Sequence, residues 1–283
     1  VAEYKNIHFD QYLGINSCWR SVQWSATGGS RASIEKVSNY GQLLNCILPA
    51  LNQTSNYQND LQINNLSTQN NRVTSDFILR NAAYFKPVDS SGSGIARGIN
   101  FSCPIYTGVT MSGQRINLGA IQGLTLQLEL QSDNAVFFTT TSAATNPQAF
   151  GRIKYELTDL KLECNVYNPT AKEQSALMNN PKGIIQCNTF TSLFSVLQAS
   201  QTNIQYNLGI KELVSFFFKF NPTKAVNNLG LNEFQASRVI SASNETNQFT
   251  KVRFMRSGVE FPILKPIEIT TDSEECELNR YYQ

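Results

Sequence analysis

The sequence has few of the residue types on which most catalytic and metal sites depend. Among its 283 residues only 16% are charged, and His8 is the single histidine. A catalytic triad would have to use that one histidine, and a multi-histidine metal site cannot be built. The six cysteines include no Cys-x-x-Cys pair, the spacing that zinc sites usually show. We therefore expect a non-enzymatic protein with no catalytic residue, no cofactor and no metal.

The cysteines are also too sparse for a disulfide scaffold, so we expect buried free thiols, as in a protein made in a reducing cytosol or nucleus. No window approaches 18 consecutive apolar residues, which predicts no membrane-spanning helix. Residues Val1–Asp10 lack the basic start and apolar run of a signal peptide. Because the chain also lacks an initiator methionine, we expect it to begin inside a longer protein.

The net charge of +2 is too small for the basic face of a nucleic-acid-binding protein. The polar surface must come largely from Asn, Gln, Ser and Thr. Such a surface suits large contacts with neighbouring molecules, because charged groups there would have to be desolvated. An ordinary secreted β-protein could have the same composition, so this feature alone does not decide between the two.

Alternating hydrophobicity predicts many short strands. In Leu124–Leu130 the leucines alternate with Thr, Gln and Glu, which places one face of a strand in a core. A second alternation runs from Leu160 to Val166. Further strands are predicted at 99–105, 135–140, 184–190, 192–197, 204–208 and 212–220.

Two hairpins and one helix complete the pattern. Strand-like runs at Cys18–Ala26 and Arg31–Val37 flank a Gly-Gly turn, and a similar pair at 251–255 and 258–264 flanks Arg-Ser-Gly. Ser38 and Asn39 are suitable helix N-caps. Apolar residues at helical spacing follow from Tyr40 to Leu48, and Pro49 is expected to end that helix.

Residues 168–183 interrupt the strand pattern with two prolines, paired asparagines and a short helix-like centre. This composition predicts a boundary between two domains. Many short strands with polar connections and few helices are typical of all-β proteins built from antiparallel sandwiches.

Three groups of residues could suggest a ligand site. The acidic cluster Asp272, Glu274, Glu275 and Glu277 could hold Ca²⁺, but it lacks EF-hand spacing and is better interpreted as a solvated loop. The glycines at 92, 94 and 98 lie in a Ser/Gly-rich segment without the spacing or the Gly-Lys-Ser/Thr of a phosphate-binding loop. Exposed aromatic residues could form a sugar platform; the candidates are Trp19, Trp24, Tyr281 and Tyr282, although the strand-like setting of the tryptophans favours core packing.

Glycosylation sequons occur at Asn52, Asn65, Asn100 and Asn244. Their use would require the secretory pathway, and such matches arise by chance in an Asn/Ser/Thr-rich chain. The sequence leaves their modification open.

The order of segments resembles the double jelly-roll major capsid proteins of eukaryotic DNA viruses: nucleocytoplasmic large DNA viruses, virophages, polinton-like viruses and adintoviruses. The first similar stretch, Gly14–Tyr40, contains a strand, a Gly-rich turn, an Ile-Glu-x-x-x-x-Tyr motif (Ile34, Glu35, Tyr40) and the start of a short helix. The others are Ile99–Ile105 with Gly123–Leu130, Tyr155–Tyr167 with Glu173 behind it, Ile184–Phe190, Ile204–Val214 and Lys251–Pro262.

This resemblance implies tandem jelly rolls, with 1–168 a first roll lacking its initial strands, 169–183 a linker and 184–283 the first part of a second roll. Complete members of the family are longer, with strands before Gly14 and after Tyr281, so we expect both ends to be incomplete.

The family forms pseudo-hexagonal homotrimers that tile an icosahedral capsid. The implied partners are copies of the chain, neighbouring capsomers, penton and minor capsid proteins and, in some members, an internal membrane, without specific nucleic-acid binding. The implied location is the virion, assembled in the host cytoplasm or nucleus. The alternatives are a carbohydrate-binding or adhesion module and a glycoside-acting enzyme, which would need two carboxylates facing a cleft.

Overall fold

The computed structural model describes residues 7–10, 13–27, 33–51, 100–113, 115–119, 121–139, 155–179, 187–196, 205–206, 212–214, 251–256, 259–261 and 267–268. This part of the chain is β-rich, with a small antiparallel sheet and a few short helices. In chain order the elements are β1 (Ile7–His8), a 3-10 turn (Gly14–Cys18), β2 (Trp19–Ala26), β3 (Ser33–Ser38), α1 (Tyr40–Leu51), α2 (Gly108–Met111), β4 (Leu124–Leu130), α3 (Asp133–Val136), β5 (Phe138–Thr139), α4 (Ala171–Asn179), β6 (Lys251–Val252), β7 (Phe254–Arg256), β8 (Val259–Phe261) and β9 (Ile267–Glu268).

The main sheet has the strand order β3-β2-β4, and both of its pairings are antiparallel. Val22 on the central strand lies between Val37 and Leu128, and Trp24 lies between Glu35 and Leu126. These residues share one face because side chains alternate along a strand. The predicted first hairpin and the predicted strand at 124–130 are both confirmed.

Helix α1 packs on the apolar face of this sheet. Tyr40, Leu44 and Leu48, spaced four residues apart, are buried in the first core cluster, as expected for one face of a helix. The prediction that Pro49 ends the helix was wrong, since α1 continues to Leu51. A proline interrupts the hydrogen bonds of a helix, and α1 ends two residues after Pro49. The cluster consists of Leu13, Trp19, Val22, Val37, Tyr40, Leu44, Leu48 and Tyr106.

A second core cluster forms where the 3-10 turn meets α3. Phe9 stacks on Phe137 with their ring centroids 5.0 Å apart, close to the preferred spacing of an aromatic pair. Cys18 is buried in this cluster and forms no disulfide, as predicted. Cys164 also forms no disulfide, but it is exposed, which contradicts the prediction of a buried thiol. The buried members of the cluster are Phe9, Ile15, Cys18, Val136 and Phe137.

Three predicted strands differ in the structure. The described part of 99–105 forms no strand, consistent with the missing donor of Pro104. At 135–140 the helical turn α3 comes first, and only Phe138–Thr139 is a strand. Residues 160–166 have no strand partner, and their side chains are exposed on both sides, so the alternation has no sheet to join in this part of the structure.

Beyond residue 168, the predicted helix-like centre of the 168–183 segment is confirmed as α4 (Ala171–Asn179). The predicted hairpin near the C-terminus is confirmed too, because β7 pairs with β8 in antiparallel register. The pairing of β6 with β9 was not predicted. The described residues 187–196 contain no strand, unlike the prediction for 184–197, and most of the strands predicted at 204–208 and 212–220 lie outside the described residues.

Candidate functional site

The most organised polar site of the described residues is a buried junction centred on Glu35 on β3. Its carboxylate is almost completely buried. Oε1 accepts the N–H groups of Gly108 at 2.9 Å and Phe190 at 2.8 Å, and Oε2 accepts the N–H of Val109 at 3.0 Å. A buried carboxylate is tolerated only when such donors replace water. We call Glu35, Tyr40, Tyr106–Val109 and Phe190 the Glu35 junction.

The short helix α2 is capped within this junction. The Thr107 hydroxyl accepts the N–H of Thr110, while the Thr107 N–H donates to the Thr110 hydroxyl at 2.9 Å. This reciprocal arrangement is a capping box, which satisfies two backbone donors at the start of a helix. The Trp24 indole N–H donates to the same Thr107 hydroxyl at 3.0 Å. The cap is thereby tied to the centre of the main sheet.

Tyr40, at the start of α1, binds the other side of the same segment. Its buried hydroxyl accepts the N–H of Tyr106 at 2.7 Å. Burial raises the pKa of the Tyr40 phenol far above its ordinary value, because the charged form would lose its hydration. The phenol is therefore neutral at physiological pH and serves as a fixed hydrogen-bond acceptor.

Residues 187–196, which we call the strap, come after α4 along the chain and contact the junction through Phe190. A Cβ added at Gly108 would lie 1.8 Å from the Asn188 carbonyl oxygen, so no larger residue fits at position 108 without displacing the strap. Phe190 packs against the first core cluster. The Ser192 hydroxyl donates to the Ser38 carbonyl oxygen.

The hydrogen bonds of the Glu35 junction hold parts of the chain together. Three backbone donors already occupy the Glu35 oxygens, and the group lies out of contact with solvent, so it is poorly placed to accept a substrate proton. Among the described residues no group of three or more His, Cys, Asp and Glu side chains is placed to hold a metal ion. The arrangement instead fixes β3, α1, α2 and the strap relative to one another.

A second polar group lies on the surface around Glu173, at the start of α4. The Tyr167 hydroxyl donates to Glu173 at 2.6 Å, and the Thr170 N–H and hydroxyl donate at 2.9 and 2.8 Å. These bonds, led by that of Tyr167, lower the pKa of Glu173 to about 2. Arg115 lies 3.8 Å from the centre of the Tyr167 ring, a cation–π distance. The group caps α4 and attaches it to the 115–119 segment.

Few of the residues that the sequence singled out lie among the described residues. Trp19 and Trp24 are buried, which confirms the prediction of core packing and removes them from any exposed sugar platform. His8 pairs with Phe138 in the β1–β5 ladder, and Asn100 is exposed. The remaining candidates lie outside the described residues: Asn52, Asn65, Asn244, Gly92, Gly94, Gly98, Asp272, Glu274, Glu275, Glu277, Tyr281 and Tyr282.

The Glu35 junction was missed as a physical unit. Glu35 and Tyr40 entered the sequence analysis only as a motif of the resemblance, and Thr107 did not enter it. The available signal was the Thr-x-x-Thr spacing of Thr107 and Thr110, which is close to a capping-box pattern. The backbone donors that meet Glu35 leave no sequence signal at all.

Comparison with known proteins adds no relative. No family model matches the chain, and no match was found among curated proteins or solved structures. Within the described ranges, no helix has the length and apolar character needed to cross a membrane.

Proposed function

We propose that this chain is a structural subunit of an icosahedral virus shell: a major capsid protein whose tandem jelly rolls form pseudo-hexagonal homotrimers. The family resemblance of the sequence suggests this function. In the virion its partners are copies of itself, neighbouring capsomers, and penton and minor capsid proteins.

The observation that carries the proposal is the large amount of exposed apolar surface after residue 155. Val166, Phe194 and Val214 are 81%, 71% and 77% exposed. Scattered exposed apolar residues are ordinary, but so many of them in one part of a chain favour burial against other molecules. The others in this part of the chain are Leu160, Leu162, Tyr167, Leu193, Val196, Tyr206, Leu213, Met255 and Val259.

The outer face of the main sheet supports the same function. Gln23 lies between Lys36 and Gln127 in adjacent strands, and Ser25 lies opposite Thr125. This face is mostly uncharged and polar, so a neighbour could cover it without desolvating many charges. The Glu35 junction beneath it gives the rigid support that repeated contacts in a closed assembly need.

The test is native mass spectrometry of the purified chain, with a pair of matched variants. We expect a homotrimer of three 31.6 kDa subunits. Leu162→Asp should shift it to monomer, because a charge would have to be buried at the contact. Leu118→Asp is the control, since Leu118 is equally exposed, 54% against 55%, but precedes residue 155.

A chain that stays monomeric at every concentration would overturn the proposal. A monomer that also binds sugars on a glycan array would transfer the function to the carbohydrate-binding alternative. Equal dissociation by both aspartate variants would leave the homotrimer in place and reject the surface after residue 155 as its contact.

A further inference from the structure

The strap is attached to the rest of the described structure by very few contacts. It forms no strand pair. Its polar attachments are the Phe190 N–H on Glu35 Oε1, at 2.8 Å, and the Ser192 hydroxyl on the Ser38 carbonyl oxygen. Its apolar attachment is Phe190, since Leu193, Phe194 and Val196 are about half exposed or more. A segment with so few buried contacts belongs to the low-stability end of a protein.

The surface that receives the strap would keep its own hydrogen bonds if the strap left. Glu35 would retain the N–H groups of Gly108 and Val109. Tyr40 would retain the Tyr106 N–H, and Thr107 would retain Trp24. The sheet would lose the Ser192 bond to Ser38, the first core cluster would lose its contact with the Phe190 side chain, and Gly108 would lose its close approach to Asn188. The strap is therefore held by its few contacts with this surface, whereas the surface is held by its own hydrogen bonds.

From this difference we propose that residues 187–196 form a latched strap. The strap opens as a unit, moving away from Glu35 and withdrawing Phe190 from the first core cluster, while the β3-β2-β4 sheet stays folded. Glu35 Oε1 is the latch because it binds the strap and the start of α2 through one atom. The strap follows the predicted linker along the chain. This device does not depend on the capsid proposal.

Glu35 is also the point at which the strap and α2 are coupled. Oε1 accepts Gly108 and Phe190, whereas Oε2 accepts Val109 alone. In Glu35→Gln one oxygen becomes an NH₂ group, which cannot accept a backbone N–H. The variant must give up either the Val109 bond or the shared Gly108 and Phe190 bonds. If the amide oxygen keeps the Gly108 and Phe190 bonds, the strap stays latched and only α2, which loses the Val109 bond, is loosened.

The experiment is native-state hydrogen exchange, resolved by residue, on the whole chain. In the wild type we expect the Phe190 amide, the strap N–H that donates to Glu35, to exchange at a lower opening free energy than amides of β2 and β4. Phe190→Ala should accelerate strap exchange by at least about tenfold, because the deleted ring carries most of the buried strap contact. Exchange in β2 and β4 should stay within about twofold, as for a local opening.

Matched controls separate the latch from general damage. Phe194→Ala removes the same ring from an exposed strap position and should leave exchange unchanged. Ser192→Ala, a milder change than Phe190→Ala, removes one hydrogen bond and should accelerate strap exchange alone by a few-fold.

Exchange of the strap and the sheet at one common free energy would overturn the proposal. So would a Phe190→Ala variant that opens both in parallel. Either result is independent of the oligomeric state, so the latch and the capsid function fail separately.

Discussion

The described chain has two regions with opposite relations to solvent. Every buried side chain of the described set lies between Phe9 and Phe137. From Tyr155 onward the described side chains are exposed or half-buried. Both regions carry many apolar residues, so the difference lies in where those residues are placed. The first region has its own core, whereas the second depends on other surfaces for burial.

The two regions meet through hydrogen bonds and ring contacts within the described residues, and Leu157 packs against both core clusters. Tyr155 packs edge-on against Phe137 with ring centroids 5.9 Å apart, and Phe190 fills the side of the first cluster. Arg115 and Glu173 add an exposed ion pair at 3.8 Å, which contributes little by itself. Most apolar side chains of the second region are therefore left uncovered within the described residues.

The largest predicted effect compares one leucine from each region. Leu44→Ala should lower the free energy of unfolding by about 2–5 kcal/mol at every protein concentration, because Leu44 is buried within the chain. Leu162→Ala, at an exposed position, should cost less than about 0.5 kcal/mol in dilute solution. Its cost should grow with concentration if the second region is buried by assembly.

Urea unfolding at several protein concentrations measures the loss of unfolding free energy in both variants, Leu44→Ala and Leu162→Ala. Equal losses for the two leucines in dilute monomer would show that Leu162 is covered within its own chain, and the contrast between the regions would disappear.

The second prediction concerns the junction. Tyr40→Phe removes the buried hydroxyl that accepts the Tyr106 N–H at 2.7 Å. Loss of this hydrogen bond should lower the free energy of unfolding by about 0.5–1.5 kcal/mol. Tyr206→Phe removes the same hydroxyl from an exposed residue of the second region and should change stability by less than about 0.5 kcal/mol. Identical urea midpoints for the two variants would contradict a role for Tyr40 in holding 106–109.

Sequence reasoning succeeded where the apolar pattern and the local chemistry agreed. Leu124–Leu130, the first hairpin and the start of α1 each combine a clear period with a turn or cap, and each is present as predicted. It failed at Leu160–Val166, whose alternation is equally regular. An alternating segment becomes a strand only when a neighbour supplies the ladder, and no pattern within the segment reveals that neighbour.

The candidate site was less predictable than the fold. The lone histidine and the scattered carboxylates suggested no catalytic cluster of obvious spacing, and they could not reveal Glu35. Its partners are backbone N–H groups at 108, 109 and 190, which every residue except proline possesses. Tertiary folding alone selects them. The tandem jelly rolls, the domain boundaries and the homotrimer remain predictions.

The third prediction tests the Thr107 cap of α2, which lies entirely within the first region. Thr107→Ala should lower the free energy of unfolding by about 0.5–2 kcal/mol, because α2 loses its N-cap and the Trp24 indole loses its acceptor. Thr107→Ser keeps the hydroxyl and should recover most of that loss. The measurement is urea unfolding followed by Trp fluorescence. A serine variant as unstable as the alanine variant would assign the effect to packing of the threonine methyl instead.

The smallest predicted effect lies in the second region, at Glu173. Its pKa is lowered from 4.5 to about 2 in the folded chain. A carboxylate with a lowered pKa stabilises the fold fully above its unfolded pKa, and this contribution is lost as the pH falls from about 4.5 towards about 2. The Glu173 side chain is 44% exposed, so solvent screens its interactions, and the effect on global stability should be slight and confined to the start of α4.

The measurement is an NMR titration of the Thr170 amide, which donates to this carboxylate. We expect a midpoint near 2 in the wild type, and a higher midpoint in Tyr167→Phe because the largest cause of the low pKa is the Tyr167 hydroxyl. A wild-type midpoint at the ordinary 4.5 would show that the cap is open in solution. The second region would then lack even this local order, and its contrast with the first would be sharper than the structure indicates.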